Sequence, residues 1–185
     1  MSITKLLDSK LDNGEIISVF CNPEDNYSAV VGFLTAVDET HFVLNHITKY
    51  GRYDGYVLRI KDNLFRFDEK TSYETSLKKL YDYYGDKHID YKVDGSVLVW
   101  FLNFAKSNKF ILGIGVKDHD QVSIYGYVES INQEIETVSI HQTTEDGVFD
   151  GYITLSFDSL MRIACDCQME QAIKVLNSLH ANGGA

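Results

Sequence analysis

The chain has 185 residues, 44% of them hydrophobic and 24% charged, the balance of a protein that folds around a core and not of a disordered one. Seventeen basic against 27 acidic residues give a formal charge of −10, which opposes general binding to the phosphate backbones of DNA or RNA. A single proline and an odd count of three cysteines exclude a proline-rich linker and argue against a disulfide framework.

The segment Met1–Asp8 meets an acid at once and has no long apolar core, so no signal peptide is expected. Ile3, Leu6, Leu7 and Leu11 have helical spacing, with Ser2 placed to cap and Asn13-Gly14 to stop. Strand signals follow at Glu15–Cys21, Tyr27–Val37, Thr40–His46, Gly55–Ile60 and Asn63–Phe67, rich in β-branched and aromatic residues and broken by Asn, Asp, Gly and Pro23. Lys61-Asp62 is expected to form a tight hairpin between the last two. Tyr73, Leu77, Leu80, Tyr81 and Tyr84 make a helical stripe after Thr71-Ser72, and Lys87–Asp90 reads as a short join. A helix is expected over Ser96–Lys106, and its stretch Ser96–Ala105 is apolar beyond one face, too short to cross a bilayer, and expected to be buried on more than one side. Further strands are expected at Phe110–Val116, Val122–Ile131, Glu136–His141, Gly151–Leu155 and Ser159–Ile163, and a last helix over Gln168–Leu179.

The second series repeats the first. At an offset of 96, Asp54, Gly55, Tyr56, Asp62, Leu64 and Arg66 lie on Asp150, Gly151, Tyr152, Asp158, Leu160 and Arg162. Glu74, Lys78 and Leu80 fall on Glu170, Lys174 and Leu176, and at an offset of 94 Val31-Gly-Phe-Leu34 covers Tyr125-Gly-Tyr-Val128. Repeat one spans about 1–88 and repeat two about 92–182. Gly32 and Gly126 mark a bend in each second strand. The expected fold is mainly β with flanking helices (α+β): two tandem five-stranded antiparallel barrels.

A helix followed by five strands with a glycine bend in the second resembles the Sm-like (LSm/Hfq-type) fold, a small barrel of the SH3-like kind. Val31-Gly-Phe-Leu-Thr-Ala-Val-Asp38 fits the family's first motif, and Arg59-Ile-Lys-Asp-Asn-Leu64 keeps a trace of the second. The resemblance implies a base-binding Asn and Arg. Those positions hold His41 or Phe42 and Ile60 and Lys61, with Arg59 adjacent, so the matching residues carry the fold and not the site.

No residue pattern points to catalysis, a cofactor or a metal. His41 and His46 are five apart in a strand and so face opposite ways. Asp118-His-Asp120 lacks calcium-loop spacing. Asp54 and Asp150 recur before Gly-Tyr for reasons of turn geometry. Residues 93–185 carry 5 basic and 12 acidic residues, whereas 1–92 carry 12 and 15. Lys49-Tyr-Gly-Arg-Tyr-Asp-Gly-Tyr56 interleaves bases with aromatics, so Lys49, Arg52, Tyr53 and Arg59 form the candidate partner or RNA surface. The leading expectation is a non-enzymatic scaffold, cytoplasmic by its unpaired thiols, that binds a protein or a second copy. RNA binding through repeat one comes second, and neither DNA nor a membrane is an expected partner.

Overall fold

A computed structural model describes residues 2–24, 28–117 and 124–183. The chain divides into two compact units, Met1–Val97 and Leu98–Ala185. Unit 1 contains α1 (Ile3–Asp8), β1 (Ile16–Phe20), β2 (Val30–Val37), β3 (His41–Ile47), β4 (Tyr53–Ile60), β5 (Arg66–Glu69) and α2 (Ser72–Tyr84). Its strands lie in the order β5-β1-β2-β3-β4, and every pair is antiparallel. After α3 (Val97–Ser107), unit 2 contains β6 (Leu112–Val116), β7 (Ile124–Asn132), β8 (Thr137–Thr143), β9 (Phe149–Ser156), β10 (Leu160–Cys165) and α4 (Gln168–Gly183). Its order is β10-β6-β7-β8-β9, again antiparallel throughout. The two units therefore share one topology.

Local chemistry explains the elements. Ser2 caps α1 through its hydroxyl, and Thr71 with Glu74 forms a capping box on α2. Glu74 is buried because its other carboxylate oxygen accepts a 2.6 Å hydrogen bond from Ser18 on β1. Leu77 of α2 packs on Ile16, Val31 and Ile47, and Ile173 of α4 packs on Ile111 and Tyr125. Each helix thus covers the same face of its own sheet. Gly32 pairs with His46, and a Cβ there would overlap the Asn45 carbonyl; a Cβ at Gly126 would overlap that of His141. The glycines are required by close strand approach and not by a left-handed conformation.

Several expectations are corrected. Lys61-Asp62 is no hairpin: Lys61–Asn63 and Phe157–Ser159 are 3-10 turns that carry the chain away from β4 and β9, so β5 pairs with β1 and β10 with β6. Among the described residues no ladder joins β4 to β5 or β9 to β10, so each unit is an open five-stranded sheet where a barrel was expected. The first helix stops at Asp8, before Leu11, as the chain turns through Asp12 and Gly14 with positive φ. In α3, Val97, Leu98, Phe101, Leu102, Phe104 and Ala105 are buried and Asn103 and Lys106 are exposed. No described helix is long and apolar enough to cross a membrane. Cys21, Cys165 and Cys167 are free thiols, and burial pushes the Cys165 thiol up.

Candidate functional site

The site begins with a bulge. Asn45 pairs with Tyr56 and Ile47 with Tyr53, so His46 alone on β3 opposes both Asp54 and Gly55 on β4. Gly55 takes a left-handed φ of 68° to make room for the extra residue. Side chains alternate along a regular strand, so residues three apart face opposite ways. The bulge resets that alternation, and the rings of Tyr53 and Tyr56 lie 6.1 Å apart on one side. Unit 2 repeats the device: His141 pairs with Tyr152 and Thr143 with Phe149, and Gly151 has a φ of 78°. The recurring Asp-Gly pair is therefore a bulge inside the strand and not a turn, and β4 and β9 start two residues earlier than expected.

In unit 1 the segment 86–91, expected as a mere join, packs onto this aromatic pair. The His88 ring centroid lies 4.6 Å from that of Tyr53 and 5.4 Å from that of Tyr56. Its Nε2 donates to the carbonyls of His46 and Gly55 at 3.0 and 3.2 Å, and both oxygens can only accept. Nδ1 is then bare and accepts from the Tyr81 hydroxyl at 3.1 Å. Burial is the main cause that lowers the His88 pKa to about 4, and it outweighs the two carbonyl bonds, so the ring is neutral. The Ile89 N–H donates to the Tyr56 hydroxyl at 2.7 Å, and the Tyr91 hydroxyl donates to Asn45 at 2.6 Å and also bonds Thr35. Tyr56 is wholly buried.

The four residues singled out in the sequence have different neighbours. Lys49 is exposed beside the Tyr50 ring, 5.1 Å from its centroid. Arg52 donates through Nε and Nη2 to the Asp86 carboxylate at 2.6 and 3.2 Å, and its guanidinium lies over the Tyr84 ring. That pairing holds the Asp86 carboxyl below the usual range. Tyr53 turns its ring to His88, and its N–H donates to Asp86. Arg59 stands six residues along β4 from Tyr53, about 20 Å at the usual rise per residue. His41 and His46 contact different groups, the Thr40 hydroxyl and the Asp54 carbonyl. Asp118–Asp120 lies outside the described residues.

Next to His88 lies a cleft of about 480 Å³, floored by Phe33, Tyr81 and Asn45 and rimmed by Asp82, Asp86 and Asp90. Sequence reasoning missed His88, Tyr91 and Asp86 because they sit in a polar stretch without periodicity. The dense Tyr content around them was the available signal.

Unit 2 treats the same positions differently. His141 of β8 lies between Phe149 and Tyr152, with ring centroids 4.1 and 4.6 Å away and near-parallel planes. An imidazole thus fills the aromatic slot in both units, but here it comes from the neighbouring strand. Tyr152 is 67% and Phe149 48% exposed. The helix that ends at Gly85 in unit 1 corresponds to one that runs on to Gly183, and no described segment of unit 2 takes the place of 86–91. No family model, no curated protein and no solved structure matches this chain.

Proposed function

We propose that the protein is a non-enzymatic cytoplasmic adaptor of two Sm-like modules, in which unit 2 docks an extended segment of a partner protein along β9. One observation carries this reading: the aromatic pair that unit 1 buries under its own residues 86–91 is exposed in unit 2 on a terminal strand. A terminal strand offers unpaired backbone groups for strand addition, and exposed rings anchor the side chains of the added segment. The segment 86–91 is the chain's own example of a cover for these rings, held by the His88 ring and the Tyr56 hydroxyl and not by strand pairing. Kinship to the Sm-like fold is supported by the helix-then-five-strand order and the glycine in each second strand. The RNA reading is weakened by the Asp86 carboxylate on Arg52 and by the remoteness of Arg59.

A photo-crosslinking residue in place of Tyr152 tests the proposal in cells. A protein adduct at 152, with none when the same residue replaces the buried Tyr56, is the expected result. A second copy trapped at 152 makes the partner the chain itself. An RNA adduct, or no adduct, overturns the reading.

A further inference from the structure

Unit 2 holds a second, unlike feature. Beside the sheet, a cavity of about 430 Å³ is floored by Phe110, Tyr127 and Phe149 and rimmed by Lys106, Lys109 and Lys174. Residues 93–185 contain five basic side chains against 12 acidic ones, so three of the five cations gather at one apolar hollow, and no Asp or Glu lines it. Among the described residues, none of the three lysines has a carboxylate within ion-pair distance. Lys106 spends one proton on the Glu129 carbonyl at 2.6 Å, and Lys174 lies over the Phe110 ring, 5.6 Å from its centroid. A helix C-terminus attracts cations, which accounts for Lys106 at the end of α3 but not for Lys174 in α4. The carbonyls of Phe104 and Ala105 are already bonded by the Asn108 and Phe110 amides, which damps the negative end of α3 beside the hollow.

The corresponding place in unit 1 is charged differently. Phe33 and Tyr81 stand where Tyr127 and Asn177 stand in unit 2, yet that cleft is lined by Asp82, Asp86, Lys87 and Asp90, and Arg52 already holds Asp86. Lys78, the counterpart of Lys174, is neutralised by Asp82 at 2.6 Å. On one skeleton, the unit 1 cleft has its Asp82 and Asp86 paired with cations, and the unit 2 hollow gathers lysines with no carboxylate beside them among the described residues.

We propose that the lysine-rimmed cleft of unit 2 binds a small planar aromatic monophosphate of the nucleoside monophosphate class. A phosphate dianion matches ammonium groups that no described carboxylate neutralises, and a flat ring suits a floor made of the Phe110, Tyr127 and Phe149 side chains. The volume falls in the range of small-ligand sites.

Calorimetry of the full chain with AMP, adenosine and inorganic phosphate tests this. AMP is expected to bind one site about tenfold more tightly than either fragment, and more weakly as salt rises. Lys109→Ala and Lys174→Gln should each lower AMP affinity about tenfold with unchanged melting, whereas Lys78→Ala in unit 1 should leave it unchanged. Adenosine binding as well as AMP, AMP affinity insensitive to both lysine variants, or no heat at millimolar AMP would overturn the site. A 5′-phosphorylated oligonucleotide binding more tightly than AMP would overturn the small-molecule assignment in favour of a nucleic-acid end.

Discussion

Two units built on one strand order use it in opposite ways. In both, a left-handed glycine in the fourth strand brings two aromatic rings to one face, and an imidazole enters between or beside them. Unit 1 recruits that imidazole from residues 86–91, which brings with it a backbone hydrogen bond from Ile89, buries Tyr56 and leaves a cleft whose Asp82 and Asp86 are paired with Lys78 and Arg52. Unit 2 supplies it from β8, so the rings stay in solvent and the adjoining cleft is basic. The lesson is that a duplicated scaffold diverges first in what lies across it. The strands are held in place by ladders and close packing, which tolerate little change. The surfaces over them are held by a few side chains and can be closed in one copy and open in the other.

The comparison can be broken at its shared skeleton first. Gly32→Val and Gly126→Val each place a side chain against a neighbouring carbonyl, and each should cost about 3 kcal/mol in chemical denaturation. A large loss in one unit and none in the other would mean that the skeletons are not equivalent. The next test separates the imidazoles. His88→Ala strips two buried carbonyls of their donor and should cost about 2 kcal/mol, whereas His141→Ala, beside exposed rings, should cost less than about 1 kcal/mol. Equal losses would erase the distinction between a docked segment and a surface stack.

A pH series sharpens the same point. The His88 pKa is lowered in the folded protein to about 4 from 6.5, so the proton binds more readily once the segment is released. The docking of 86–91 is therefore fully stable above pH 6.5 and weakens as pH falls through the window down to about 4. The protection factor of the Ile89 amide, corrected for intrinsic exchange, should fall about tenfold between neutral pH and about pH 5.5. His88→Gln should flatten that profile, and a flat profile in the unsubstituted chain would count against a neutral buried ring. The smallest effect is expected from Arg52→Ala. Its guanidinium is exposed, so thermal melting should shift slightly and less at high salt.

Much of the fold was legible before any coordinates. The repeat showed in nine residues at one offset, whereas Gly32 and Gly126, expected at bends, serve close strand approach. Leu77 lay in a stripe of helical spacing, and it is the residue of that helix that meets the sheet. The hairpin at Lys61-Asp62 misled because two polar residues between apolar runs suit a tight turn and a 3-10 turn alike. The candidate surface shows the reach of local pattern in another way. Lys49, Arg52 and Tyr53 are close in sequence, but an acid 34 residues on claims the arginine.

By itself the sequence determined the α+β class, the duplication, the position of most strands and the uneven charge of the two halves. These follow from periodicity, turn residues and composition, which are local properties that any window of chain carries. Only the tertiary structure decided which strands pair, that Asp54-Gly55 is a bulge, that residues 86–91 cover one aromatic face, and that Lys106, Lys109 and Lys174 meet at one hollow. Those facts depend on residues far apart in the chain reaching one place, and no local pattern encodes which distant partner a side chain will meet.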